Sequence, residues 1–242
     1  MQEVLTRMEE AGPREVITRG IYKGFTDWLV SKEGVKAARR ACEDRPGDLE
    51  QYMRSSEWQG NLAVAIAALP ATKGEFAIEV DRSLSTLVNE MGTNDFRLKG
   101  MIVGAVGLVT LHRGLCSIDR SRFGRMPLSM VISDPREDVF CAIDMKYGPV
   151  WLQVKSITRL NEFWAEDLDR VSSVTFGKTI VSEDDIWRMR RARENSMIDE
   201  ARLIFVGVPA FDSRAMRGAV LGQPSANLVK GLKVELEKVK VI

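Results

Sequence analysis

The chain has 242 residues, of which 45% are hydrophobic and 29% are charged, and its formal net charge is +1. This composition excludes a disordered or collagen-like chain, and the near-neutral charge excludes a protein that is basic over its whole surface. Three cysteines without a CxxC pair exclude a zinc-finger arrangement and favour a reducing compartment. The first residues lack the apolar core of a signal peptide, and the apolar run at residues 101–111 is too short to cross a bilayer. The sequence therefore predicts a cytoplasmic protein, or a nuclear one in a eukaryote, without a membrane partner.

The N-terminal portion is predicted to be helical. Apolar residues recur at helical spacing over residues 17–29, and further helices are predicted over residues 32–42, 55–69, 75–91 and 94–113. Pro70, Gly92 and Gly114 follow three of these segments and indicate where the helices end. Residues 1–93 are therefore assigned to a helical portion.

After Gly114 the hydrophobic period changes from that of a helix to that of a strand. Strands are predicted over residues 127–132, 139–143, 150–154, 173–179 and 202–208, with a helix that begins near Ser182. The tail, residues 225–242, fits both a helix and a strand. The predicted fold class is mixed α/β, with a helical N-terminal portion followed by an α/β domain over residues 94–242.

The strands at residues 139–143 and 150–154 form a predicted hairpin that collects polar side chains on one face. Alternation brings Asp138, Gln153 and Lys155 to the same side, opposite the apolar residues. A hard divalent cation prefers oxygen ligands, and Asp138 with the Gln153 carbonyl could supply two of them. Lys155 could orient a water or neutralise charge that develops on a phosphate. Asp144 shares this face and competes as a ligand, ranked second because it lies beside the turn.

The segments Pro135-Arg136-Glu137-Asp138 and Trp151-Leu152-Gln153-Val154-Lys155-Ser156 resemble the PD-(D/E)xK nuclease superfamily, in particular its Mrr-like members with a Gln-x-Lys motif. The resemblance covers residues 95–208 and implies a restriction-endonuclease-like mixed sheet flanked by helices. It further implies Mg²⁺- or Mn²⁺-dependent cleavage of phosphodiester bonds in DNA or RNA. The implied catalytic residues are Asp138, Gln153 and Lys155, and the candidate metal ligands are Asp138, Gln153 and Asp144.

The sequence departs from this family at the helix that precedes the strands. Many members carry a glutamate there, and no glutamate occurs between Asn94 and Arg113. Glu57 or Glu137 could replace it as a ligand. Alternatively, the chain is a non-catalytic nucleic-acid-binding or assembly protein on a degenerate nuclease-like fold, or a structural protein of a virus or mobile element without nuclease ancestry.

A cluster of basic residues lies in the helix predicted after Ser182. The candidates for phosphate contact with nucleic acid are Arg188, Arg190, Arg191 and Arg193. The alternative is a solvated helix face, since Glu183, Asp184, Asp185 and Glu194 balance the charge over the same stretch. Trp187, in the middle of this helix, is expected to be a packing anchor rather than a platform for a base. A homo-oligomer is compatible with the sequence.

Overall fold

A computed structural model describes residues 19–43, 47–68, 75–92, 96–157, 160–169, 175–176, 179–180, 183–195, 200–209 and 222–242. Within these ranges the fold is mixed α/β, with ten helices and a four-stranded mixed sheet, which confirms the predicted fold class. The chain divides into two compact units. The first, here called the helical unit, comprises Met1–Val109 and Ser213–Gln223, and the second, the sheet unit, comprises Thr110–Asp212 and Pro224–Ile242.

The helical unit is built from α1 (Arg19–Leu29), α2 (Lys32–Cys42), α3 (Leu49–Ala68), α4 (Glu75–Met91) and the first part of α5 (Phe96–Ile118). The bounds of α2 and α4 are those that the sequence predicts. Helix α3 begins well before residue 55, because the Asp48 carboxylate accepts the N–H groups of Glu50 and Gln51. Ser55 is therefore not a cap, and its hydroxyl donates instead to the Ala41 carbonyl of α2 at 2.6 Å.

Helix α5 continues past Gly114, where the sequence predicted its end. A Cβ atom at Gly114 would lie 2.8 Å from the Leu232 side chain, so glycine here serves close packing rather than termination. By length and composition α5 could cross a membrane, since its most apolar 18 residues have a mean hydropathy of 1.6, but 61% of this stretch is buried inside the protein. The expectation from residues 101–111 alone missed this length, and the cytoplasmic location stays a prediction.

The sheet unit contains five further helices and six strands among the described residues. In chain order they are α6 (Arg120–Phe123), α7 (Leu128–Val131), α8 (Pro135–Cys141), β1 (Met145–Tyr147), β2 (Val150–Ile157), β3 (Trp164–Asp167), β4 (Thr175–Phe176), β5 (Thr179–Ile180), α9 (Glu183–Asn195), β6 (Arg202–Pro209) and α10 (Ala226–Lys238).

Strands β1, β2, β6 and β3 form one sheet, in that order across its width. The central pair, β2 and β6, is parallel, and each edge strand is antiparallel to its neighbour. The predicted strands at residues 150–154 and 202–208 are confirmed. Both are nearly continuous apolar runs, as expected for strands that are covered on both faces. One face packs Trp151, Leu203 and Phe205 against Ile186 and Met189 of α9.

Two other predicted strands are wrong. Residues 128–131 form α7, and only Ile132 bridges to Met145 of the sheet. Residues 139–141 belong to α8, whose start is fixed by a capping box between Asp134 and Glu137 with Pro135 at the first helical position. These local hydrogen bonds outweigh the short apolar alternation that suggested a strand.

The C-terminal tail, which fits both a helix and a strand by sequence, is helical, and the segment near residue 175 contains two short strands. Ser225 accepts the N–H of Leu228, and the tail is therefore helical as α10. The short strands β4 and β5 pair with each other over part of the predicted strand at residues 173–179. Residues 173–174, 177–178 and Ser182 lie outside the described residues.

Candidate functional site

Asp138 lies in helix α8 rather than on the hairpin where the sequence predicted it. Its N–H donates to the Asp134 carbonyl at 3.1 Å, which is the helical pattern. The alternation that aligned Asp138 with Gln153 and Lys155 therefore does not apply, and this placement is wrong. Its role as a site residue stays a prediction.

The hairpin is formed by β1 and β2, and its first strand lies later in the chain than the predicted strand at residues 139–143. Tyr147 pairs with Val150 across the two-residue turn Gly148-Pro149. Gly148 has a φ of +60°, which the first central position of a type II′ turn requires. This tight turn places Asp144, which immediately precedes β1, beside β2, where its N–H donates to the Leu152 carbonyl at 2.8 Å.

Asp144 is a buried carboxyl group, with 8% of the residue exposed. Its Oδ2 accepts the backbone N–H of Val154 at 2.6 Å, which brings the carboxyl group to the strand segment between Gln153 and Lys155. Burial raises the pKa of Asp144 to about 8, and the negative charge of Asp138 adds to this, while the Val154 N–H and Lys155 oppose it. Burial therefore disfavours the ionised form of this carboxyl group.

Gln153 is the second buried polar group at this place, with 3% of the residue exposed. It occupies the centre of the sheet, opposite Phe205 of β6. Its Oε1 is buried and accepts no hydrogen bond from the described residues. An acceptor that is buried without a partner costs about 1–3 kcal/mol. This oxygen is therefore a candidate ligand for a bound ion.

Lys155 is held by a residue that the sequence did not single out. Its Nζ lies 3.1 Å from Oδ2 of Asp185 on α9, and Asp185 is only 5% exposed. The sequence suggested Asp185 only as a charge that balances the arginines. The signal that could have found it is weak, namely an acid at the start of the helix that connects the two parallel strands.

The residues of this site could bind a magnesium-like ion through only two side-chain oxygens. Asp144 and Gln153 offer one carboxylate and one amide oxygen, and Mg²⁺ commonly keeps several waters beside one or two carboxylates. Among the described residues, no group of three His, Cys, Asp or Glu side chains is arranged to hold a metal ion.

The two glutamates considered as replacement ligands have contacts within their own units. Glu137 forms an ion pair with Lys146 and accepts the N–H of Asp134, so its carboxylate serves the start of α8. Glu57 lies on α3, where it lines a cavity of about 590 Å³ within the helical unit.

Arg188, one of the four candidate nucleic-acid contacts, is used inside the protein. Its guanidinium forms ion pairs with Asp184 at 2.9 Å and Asp185 at 2.5 Å. It also donates to the carbonyls of Asp138 at 3.4 Å and Val139 at 2.6 Å, near the end of α8. Arg188 therefore ties α9 to α8 beside Lys155 and Asp144.

Arg190 and Arg193 also contact the protein itself. Arg190 donates to the Leu168 carbonyl at 2.6 Å, and Arg193 forms an ion pair with Asp169. Both contacts hold α9 against the segment that follows β3. The four arginines were predicted as one basic patch, but these three are engaged within the described residues, and their contact with nucleic acid remains untested.

Arg191 and Trp187 have a different environment. The Arg191 guanidinium carbon lies 4.9 Å from the centre of the Trp187 ring, and Trp187 is 55% exposed. The expectation that Trp187 is a packing anchor is therefore wrong, since the core-facing residues of α9 are Ile186 and Met189.

The comparisons with known proteins give no match: no family model, no curated protein and no solved structure is significantly similar to this chain.

Proposed function

We propose that the chain is a metal-dependent nuclease whose site is built from Asp144, Gln153 and Lys155. The observation that carries this proposal is the buried Asp144 carboxyl group, bound to the backbone between Gln153 and Lys155. The amide oxygen of Gln153, which accepts no hydrogen bond within the described part of the chain, and the ammonium group of Lys155 accompany it. These three residues match the Asp and Gln-x-Lys pattern of the PD-(D/E)xK resemblance, except that Asp144 takes the role that the sequence predicted for Asp138.

Each residue has a distinct task in this proposal. The carboxylate of Asp144 and the Oε1 of Gln153 would hold a Mg²⁺ or Mn²⁺ ion. Such an ion lowers the pKa of a bound water and polarises a phosphate. Lys155, oriented by Asp185, neutralises charge that develops on the phosphate oxygens. Asp138, whose charge acts on Asp144, is a second carboxylate near this site.

The experiment uses the purified full chain with single- and double-stranded DNA and RNA, in Mg²⁺, in Mn²⁺ and in EDTA. Cleavage is expected only with a metal, and it is expected to be lost in Asp144→Asn and in Lys155→Met. Lys146→Met is the matched control, because Lys146 is the neighbouring lysine of the hairpin and pairs with Glu137. Cleavage that survives both site substitutions, or no cleavage under any condition, contradicts the proposal.

A second candidate is a non-catalytic protein that binds nucleic acid with a lapsed nuclease site. It is favoured by one observation, the lack of a third metal-binding side chain around Asp144 among the described residues. Calorimetric titration separates the two candidates. Mg²⁺ or Mn²⁺ binding that is lost in Asp144→Asn supports the nuclease, whereas nucleic-acid binding without any metal binding supports the lapsed site.

A further inference from the structure

The outward face of α9 carries an exposed aromatic side chain that the proposed nuclease site does not use. Trp187 is 55% exposed, although tryptophan is the largest apolar side chain and its burial stabilises a fold strongly. The Arg191 guanidinium covers part of the ring, with 4.9 Å between its central carbon and the ring centre. The exposed part of the ring is a surface for stacking and the guanidinium is a positive charge, a combination that suits a ligand with both a flat ring and a negative charge.

The other arginines of α9 have contacts of a different kind from that of Arg191. Arg188, Arg190 and Arg193 donate to carbonyls or carboxylates of the protein, whereas the contact of Arg191 within the described residues is the Trp187 ring. The exposed Asp184, which would repel an anion near Trp187, is paired with Arg188. The positive charge at the ring is that of Arg191.

Helix α9 carries both Trp187 and Asp185, the residue that contacts Lys155 of the candidate site. Asp185, which holds Lys155 at 3.1 Å, precedes Trp187 by a single residue, Ile186. Arg188, which follows Trp187, reaches the carbonyl of Val139 in α8, and the next residue of α8, Phe140, is 51% exposed. Trp187 and Phe140 thus lie on the two helices that carry Asp185 and Asp138, the acids next to the candidate site.

We propose that Trp187 and Arg191 form a platform on which an unpaired base of single-stranded nucleic acid stacks, with its phosphate near Arg191. The inference rests on the proposed function and adds a substrate class, a single strand or an unpaired base rather than an intact duplex. Base-paired DNA presents its base faces only to neighbouring bases, whereas a single strand offers a free face for stacking. Phe140, which follows the Val139 carbonyl that Arg188 binds, is a second exposed ring.

The test measures binding of fluorescently labelled oligonucleotides to the full chain in EDTA, so that cleavage does not interfere. Trp187→Ala is expected to weaken single-strand binding roughly 5- to 150-fold, and Trp187→Phe to retain most of it. Arg191→Ala is expected to reduce the salt dependence of single-strand binding by about 0.7 in slope. Phe96→Ala is the matched control, because Phe96 is 81% exposed with Lys99 6.0 Å from its ring, and it is expected to change nothing.

The outcomes are distinguishable from those of the cleavage assay. A chain that binds single strands through Trp187 but never cleaves keeps the platform and overturns the nuclease. A chain that cleaves, with single-strand affinity unchanged in Trp187→Ala, overturns the platform alone. Equal losses on single strands and on the matching duplex, or a loss in Trp187→Ala that Trp187→Phe shares fully, also overturn it.

Discussion

The carboxylate of Asp144 accepts the backbone N–H of Val154 at 2.6 Å, and through this bond a buried acid is placed beside the central strand of the sheet. The bond satisfies one backbone donor of β2 and orders the start of the hairpin. The same burial disfavours the charge of the carboxylate, so ionisation of Asp144 lowers the stability of the fold.

The first prediction concerns the pH dependence of stability at Asp144. Its pKa is raised from 3.8 to about 8 in the folded protein, so the folded state binds the proton more tightly than the unfolded state. The stability contribution of this group is therefore present below about pH 4 and is lost as the pH rises to about 8. Asp144→Asn, which can still accept from Val154, should melt about 5–10 °C higher than the parent at pH 9, a difference on the order of 3 kcal/mol.

Thermal melts of the two proteins between pH 4 and pH 9 check this prediction. At pH 4 the two melting temperatures should converge, and at pH 9 Mg²⁺ should raise the melting temperature of the parent only. Curves that stay parallel across the whole range would show that Asp144 does not titrate as described.

The second prediction concerns the unpartnered oxygen of Gln153. Gln153→Met keeps the side-chain length and removes the buried acceptor, so the variant should be more stable than the parent in EDTA by about 1 kcal/mol. It should at the same time lose affinity for Mn²⁺, which can be followed by the electron paramagnetic resonance signal of the free ion. A variant less stable than the parent would mean that the amide has a structural partner.

The third prediction concerns His112, the single histidine of the chain. Its Nδ1 lies 2.7 Å from the Tyr147 hydroxyl, and burial, with a smaller effect of Arg113, lowers its pKa to about 4. Because the folded pKa is depressed, the stability from neutral His112 is present above about pH 6.5 and is lost as the pH falls toward 4.

His112→Gln isolates this effect. The parent should lose up to about 3 kcal/mol of stability between pH 7.5 and pH 4 that the variant does not lose. Melting temperatures of both proteins at a series of pH values in this window give the difference, and a constant difference would contradict the prediction.

The fourth prediction separates the arginines of α9 by their effect on folding. Arg188→Ala removes the ion pairs to Asp184 and Asp185 and the bonds to the end of α8, and we expect a loss of about 2 kcal/mol. Arg191→Ala, which removes only a contact on an exposed ring, should change stability by less than about 0.5 kcal/mol. Urea unfolding of both variants measures the difference, and equal losses would contradict it.

Elements with strong local signals were predictable from the sequence. The central strands at residues 150–154 and 202–208 follow from continuous apolar runs, and α2 and α4 from helical periodicity. The Gln153-x-Lys155 motif was found for the same reason, because it lies in one such strand. Helix α8 was also readable in principle, since Asp134, Pro135 and Glu137 form a capping signal, but the apolar alternation that follows suggested a strand.

The sequence by itself determined the mixed α/β class and drew attention to the hairpin. Only the tertiary structure placed Asp144 beside the segment between Gln153 and Lys155, because the register of the hairpin strands depends on pairing between them and not on local propensity. Asp185 meets Lys155 across the sheet surface, and Trp187 is exposed, because the docking of α9 chooses which of its sides is buried. Contacts between residues distant in the chain carry no signature in either segment alone.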